Sequence, residues 1–224
     1  AGSLDYSISA DVPVTLAILS GNKVIVPAQI VKKTINEVRV VVNNENRNLN
    51  QEEYFKSKKR KLATSIGAGP EFFTYEFLNS IGIKNDEIEI ISQNPKDMPI
   101  SLISGSVDAI AIYDPFAFFA EKGLGSLATT YTNSNIYSEL YLLEANENIL
   151  KDDSEIKKIL KALIDAEGFI KTNPKESKEI IIKYWSTFVS NSNDTPITYV
   201  RAVILEALES LSKDLEYACL IWLS

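Results

Sequence analysis

Hydrophobic positions along the chain fall into two regimes. Up to about residue 144, short β-branched or apolar runs alternate with amphipathic stretches, whereas from residue 152 onward the period is helical throughout. The most continuous run is Val107, Ala109, Ile110, Ala111 and Ile112, inside GSVDAIAIYDPF at 105–116. Gly105 and Ser106 break the preceding pattern, and so dense an apolar run among helices predicts a parallel strand covered on both faces. Its carboxyl end delivers Tyr113, Asp114 and Pro115. Ligands of open α/β sheets bind outside the carboxyl ends of strands, which makes this tripeptide the first candidate site. Asp114 is equally suited to cap a helix beginning at Pro115, and capping does not exclude ligand contact.

The remaining elements follow from the same periodicities. Residues 6–9 alternate as a short strand, 14–19 form a helix stopping at Gly21, and 23–30 form a second strand whose Pro27 suits an edge or a bulge. The β-branched run at 38–43 predicts a third strand, 43–51 a polar loop and 52–56 a short helical turn. A compact unit comes next: strand 61–66, a glycine turn Gly67-Ala68-Gly69-Pro70, helix 71–81, strand 87–92, helix 95–104, the strand opened on above, helix 116–122 and strand 127–132. That order argues a parallel sheet. Residues 137–144 are strand-like, and helices are predicted at 155–171, from Pro174 to about 189, at 198–213 and at 215–223.

Composition narrows the chemistry. The 224 residues carry a net charge of −7, a poor footing for nucleic acid, which requires a basic face. The one basic cluster, KSKKRK at 56–61, reads as a solvated approach to a strand. Histidine is absent, which removes the commonest general base and metal ligand. Cys219 stands alone within an apolar helical pattern and reads as a small buried hydrophobe, so neither an intrachain disulfide nor a cysteine-based zinc site is available. The triplet Asn193-Asp194-Thr195 matches a glycosylation acceptor but reads as ordinary loop chemistry. No apolar run approaches the roughly 20 residues that span a bilayer.

Three passages in order carry a resemblance: KRKLATSIGAGPEFFTYEFLNSIGI at 59–83, DMPISLISGSVDAIAIYDPF at 97–116, and the helix pair containing ALIDAEGFIKTNPKESKEIIIKYW within 156–185. Together with Gly2-Ser3-Leu4-Asp5 and Ser9-Ala10-Asp11-Val12-Pro13, the chain resembles the nitrate/sulfonate/taurine and thiamine-precursor group of periplasmic solute-binding proteins, the receptors of ABC importers. The resemblance implies an α/β, two-lobed, type II periplasmic-binding fold with mixed, mostly parallel sheets and a helical carboxyl-terminal part. Lobe 1 would comprise 1–46 and 133–224, lobe 2 would comprise 47–132, and crossings would lie near 38–43 and 137–143. Family members precede the Gly-x-x-Asp passage with a strand and helix, at least about 30 residues of βαβ material. The expectation is a natural protein with more at its amino end, including any signal or lipid anchor; a shorter family member is the alternative.

By the same resemblance, ligand would sit between lobes against Ser9 and Asp11 on one side and Ser65, Gly67, Ala68, Gly69, Glu71, Tyr113 and Asp114 on the other. The helix start at 67–71 could hold an anion, yet Glu71, Asp11 and Asp114 lie in these passages and no arginine does. Carboxylates favour opposite charge, so a small nitrogen-containing or aromatic solute is expected. Tyr113 would stack on it, helped by Phe72, Phe73 or Phe116 unless these are core. Glu71 and Asp11 are equally suited to helix-start electrostatics. The expected protein is a monomeric receptor at the periplasm or cell surface, working with a membrane permease and needing no metal or cofactor. It is not expected to be an enzyme. The alternatives are a pyrimidine-precursor synthase-like enzyme, whose scheme needs a histidine absent here, and a sensing domain of a signalling protein.

Overall fold

The alternation of strands and helices builds two sheets. The computed structural model describes residues 4–33, 37–44, 49–146 and 153–190. In chain order the elements are β1 (Tyr6–Ala10), α1 (Asp11–Leu19), β2 (Val24–Lys32), β3 (Arg39–Asn43), α2 (Gln51–Lys56), β4 (Arg60–Thr64), α3 (Gly69–Ser80), β5 (Ile88–Ser92), α4 (Met98–Ile103), β6 (Ala109–Ile112), α5 (Phe116–Leu124), β7 (Ala128–Tyr131), β8 (Leu140–Asn146), α6 (Asp153–Thr172) and α7 (Pro174–Ser190). Contacts divide the chain into two compact units, one of Ala1–Ile8, Lys23–Val31 and Leu142–Ser224, the other of Ser9–Asn22 and Lys32–Tyr141.

The second unit holds a five-stranded sheet in the order β5-β4-β6-β3-β7. β4 runs parallel to β5 and β6, while β3 lies antiparallel to both β6 and β7. Successive side chains of a strand point to opposite faces, and the two faces are cleanly separated. Val40, Val42, Leu62, Ala109 and Ala111 join Phe73, Phe77 and Leu78 of α3 in one core cluster. Val41, Ala63, Ile110 and Ile112 join Met98 and Leu102 of α4 and Ala117 and Ala120 of α5 in the other. Burial on both faces explains why β6 reads as an unbroken apolar run.

A polar staple registers β6 on β4. The Asp108 carboxylate accepts from the Lys61 N–H at 2.9 Å and pairs with Lys58 and Arg60 at 2.8 and 3.2 Å. Burial alone would raise its pKa, but the bonds from Lys58, Lys61 and Arg60 hold it below the usual carboxylate range. The basic stretch is thus partly an anchor, and its Arg60 also covers the Tyr54 ring at 4.0 Å.

The first unit contains a three-stranded sheet, β1-β8-β2. Pro27 lies in β2, at an edge of this sheet, where a missing N–H is tolerated. α6 and α7 pack on each other, and the Asn173 carbonyl accepts the Ser177 N–H at 2.9 Å at the start of α7.

These units differ from the boundaries read in the sequence. β3, expected as a crossing, supplies two ladders to the five-stranded sheet and so belongs to that unit. Ser9 and Asp11, expected in the other lobe, belong there too, because α1 packs on α3. Helix 95–104 begins as a 3-10 turn, Pro95–Asp97, before α4. The helices expected at 198–213 and 215–223, Cys219, the triplet at 193–195 and Gly2-Ser3 lie outside the described residues. Among the described residues, no helix is long and apolar enough to cross a membrane.

Candidate functional site

β4 and β6 are adjacent and parallel, so their carboxyl ends open on the same side of the sheet. The turn into α3 leaves β4 there, and Tyr113-Asp114 leaves β6. All nine residues singled out from the sequence, Ser9, Asp11, Ser65, Gly67, Ala68, Gly69, Glu71, Tyr113 and Asp114, fall in the second unit.

One cluster forms around Tyr137. Its hydroxyl donates to Asp11 Oδ1 at 2.6 Å, and the Val12 N–H donates to the same oxygen at 3.0 Å. Burial and that bond to Asp11 push the Tyr137 phenol far up. The Phe72 ring meets Tyr137 edge-on at 5.2 Å and is 44% exposed. Gly69 packs beneath: a Cβ there would lie 2.9 Å from Glu139 Oε1 and 3.1 Å from Tyr137 Oη. Phe73, by contrast, is fully buried core.

Beside it lies a buried ion group. Lys33 Nζ stands 2.9 Å from Glu139 Oε2 and 3.1 Å from Glu37 Oε2. Burial alone would depress the lysine, but the two carboxylates outweigh it and raise its pKa. The Lys33 N–H donates to the Glu139 carbonyl at 2.9 Å and Ser138 Oγ to the Lys33 carbonyl at 2.7 Å. Burial and the Glu139 charge push the phenols of Tyr113 and Tyr141 up, the latter to about 12.

The third feature is the turn itself. Gly67 takes φ +83°, and its N–H donates to Glu71 Oε2 at 2.7 Å. Ala68 is the extended residue before α3, and its carbonyl accepts the Glu71 N–H at 3.0 Å. Ser65 is half-buried at the end of β4 and takes no part in these bonds.

The fourth revises the sequence reading. Arg39 reaches Asp114 through two bonds, 3.0 and 2.8 Å, and Glu121 through two more, 2.7 and 3.0 Å. Asp114 also accepts the Phe118 N–H at 3.2 Å, although α5 starts at Phe116 rather than Pro115. An arginine from outside the passages therefore neutralises the acid expected to be open to ligand. Arg39 sits opposite Ile112 in the antiparallel register, a neighbour that reading β3 as a crossing conceals. Lys33 and Glu139 were missed for a related reason: only the fold brings them together. Gln93, just after β5, was missed as well; its buried Oε1 has no partner among the described residues.

Arg39 gives a pH signature. Burial would raise Glu121, but the Arg39 bonds hold it below its ordinary 4.5. A carboxyl depressed in the folded state stabilises above its unfolded pKa and loses that contribution as pH falls through the folded value. Arg39→Gln should therefore flatten the acid limb of stability, read as urea midpoints between about pH 6 and pH 3. An acid limb identical to that of the parent protein would contradict the assignment.

Among the described residues no group of three or more His, Cys, Asp or Glu is placed to hold a metal ion. What remains is a wall with four carboxylates, Asp11, Glu37, Glu71 and Glu139, one buried ammonium, and the rings of Phe72, Tyr113 and Tyr137.

A mixed, mostly parallel five-stranded sheet with helices on both faces, a second sheet of three strands and a helical carboxyl-terminal part are the parts of the type II periplasmic-binding fold. The periplasmic aliphatic sulphonate-binding protein SsuA from Escherichia coli has this fold; it is 21% identical, with 93% of this chain and 62% of that chain covered at a TM-score of 0.68. Residues 1–185 match the NMT1-like family, and the chain belongs to it. A Brucella abortus protein provisionally named a binding protein is 22% identical over 171 residues, 73% of this chain and 53% of that protein. A Haemophilus influenzae protein provisionally named for thiamine biosynthesis is 28% identical over 149 residues, 62% of this chain and 44% of that protein. The chain thus spans about half the length of the curated relatives it matches.

Proposed function

We propose that the chain is the solute-binding component of an ABC importer, acting outside the cytoplasm as a monomer and handing a small nitrogen-containing or aromatic solute to a membrane permease. In this reading the wall at the carboxyl ends of β4 and β6 contacts the solute and carries out no reaction on it. The observation that carries it is an exposed aromatic surface joined to an acid: Phe72, edge-on to Tyr137, whose hydroxyl is bound to Asp11. A flat ring can lie on the aromatic edge while its N–H groups face acceptors. The charge balance supports the same class, because Lys33 is already shared by Glu37 and Glu139, and Arg39 by Asp114 and Glu121. Membership of the family and the likeness to SsuA support the transport role.

The test is a thermal-shift screen of the full chain against aminopyrimidines and other amine-bearing heterocycles, with nitrate and ethanesulfonate as contrasts. A ligand at about 100 times its Kd adds about 2.7 kcal/mol, a shift of several degrees. Stabilisation by the heterocycles is expected. Stabilisation by the oxyanions alone would refute the solute class, and turnover of a bound heterocycle would favour the synthase-like alternative.

A further inference from the structure

We propose that Gln93 is a specificity-determining residue of this wall: its side-chain amide, with the Ser65 hydroxyl beside it, reads a solute edge that sets an N–H donor next to a ring-nitrogen acceptor. The inference rests on the solute-binding reading above and names the edge that the solute presents. Parallel pairing sets Thr64 opposite Ser92, and the Gln93 N–H donates to the Thr64 carbonyl at 3.1 Å. Ser65 and Gln93 are therefore neighbours at the carboxyl ends of β4 and β5. Side chains alternate between the faces of a sheet along each strand. Leu62 and Thr64 face α3, where Thr74 Oγ1 donates to Thr64 Oγ1 at 3.3 Å, while Ala63 and Ile91 pack with Met98 and Leu102 of α4. The alternation turns Ser65 and Gln93 to the α4 side as well, and Gln93 Nε2 donates to Ser101 Oγ of α4 at 3.1 Å.

Both residues have spare bonding capacity. Gln93 Oε1 is shut off from solvent and has no partner among the described residues. Exchanging the amide oxygen and nitrogen does not cure this, because the oxygen would then face Ser101 and the nitrogen would be the orphan. A buried polar atom without a partner costs stability, and native folds leave few of them. Ser65 is half-buried, and its hydroxyl makes no bond among the described residues. Gln93 as a whole is also only half-buried, and the last torsion of a glutamine is soft, so its amide can turn from Ser101 toward the strand ends. There it offers an acceptor beside N–H donors. Set edge-on to an amino-substituted nitrogen heterocycle, an amide makes two parallel hydrogen bonds, the pairing by which glutamine and asparagine read adenine. A ring with the amine alone or the ring nitrogen alone leaves one of the two unmade, and a site built for a polar group rejects the analogue that lacks it.

The experiment titrates the full chain and its Gln93→Met variant with 2-aminopyrimidine, aniline and pyrimidine by calorimetry, measures the urea midpoint of each protein, and follows the Gln93 side-chain amide of the parent in nitrogen–proton correlation spectra. The parent should bind 2-aminopyrimidine about tenfold or more tightly than either other ring, and the Gln93 amide signals should shift as it is added. Gln93→Met keeps the length of the side chain without its polar atoms. It should lose most of that preference while its urea midpoint stays level or rises, because an orphaned acceptor is gone. A Gln93 with a structural role alone would give the reverse, a lower midpoint with the preference intact, and would overturn the proposal. So would Gln93 amide signals unmoved by 2-aminopyrimidine, which decide the matter if Gln93→Met fails to fold. If the parent binds none of the three rings, the proposed solute class falls and this inference with it. Binding of 2-aminopyrimidine that Gln93→Met leaves unchanged removes this inference alone.

Discussion

Lys33→Met should destabilise the protein by about 3–5 kcal/mol, the range seen when one partner of a buried ion pair is removed. Lys33 and Glu139 are each only 5% exposed, and their charged atoms stand 2.9 Å apart. The substitution keeps the bulk of the side chain but leaves Glu139 buried without its cation. Glu139 cannot swing freely into water, because its Oε1 lies against Gly69 and its backbone carbonyl holds the Lys33 N–H. Replacing both partners, Lys33→Met with Glu139→Leu, should recover much of the loss, since apolar replacement of a whole buried pair is often close to neutral. Urea unfolding of the three proteins measures this. The pair stabilises fully below the lysine's unfolded pKa of about 10.5 and weakens only as pH rises through its raised folded value, so the difference should hold across the neutral range. A loss under about 1 kcal/mol would mean that water reaches Glu139.

Phe77→Ala should have an effect of comparable size, about 3–5 kcal/mol, through the cavity it opens. Phe77 is fully buried in α3, stacked on Phe73 at 5.9 Å and on Tyr131 at 6.4 Å, with Phe55 edge-on at 6.2 Å. It therefore ties α3 to α2 and to β7 across one face of the five-stranded sheet. Phe77→Leu should lose much less, because most of the volume is retained. Equal losses for the two variants would indicate that the aromatic contacts, not the volume, hold this face together.

Much of the fold was legible because its physics is local. The two-sided burial of β6 is written as consecutive apolar residues, and α3 announces itself by Phe73, Phe77 and Leu78 after a glycine–proline turn. Pro27 correctly marked an edge. The candidate wall was legible in outline for the same reason, since strand ends and helix starts can be read from turn chemistry. Partner choice was not. Asp114 looked open because its counter-ion, Arg39, lies 75 positions away along the chain and reaches it only through the antiparallel pairing of β3. Glu139 and Tyr137 likewise carry no periodic signal; their roles arise from where the chain returns to Lys33 and Asp11. The proposal of a nitrogen-bearing solute stands on other grounds than those read in the sequence. It rests now on Asp11 beside exposed aromatic surface, with Asp114 committed to Arg39 and Glu71 to Gly67.

The most direct measurement is the affinity of the full chain for whichever amine-bearing heterocycle stabilises it, compared with that of Phe72→Ala. Phe72 is 44% exposed and outside the core clusters, so its removal should leave the urea midpoint nearly unchanged. A solute bound against this wall should then lose about tenfold or more in affinity, about 1.4 kcal/mol. An affinity unchanged by the substitution would place the solute elsewhere and contradict the assignment of this wall as the binding surface.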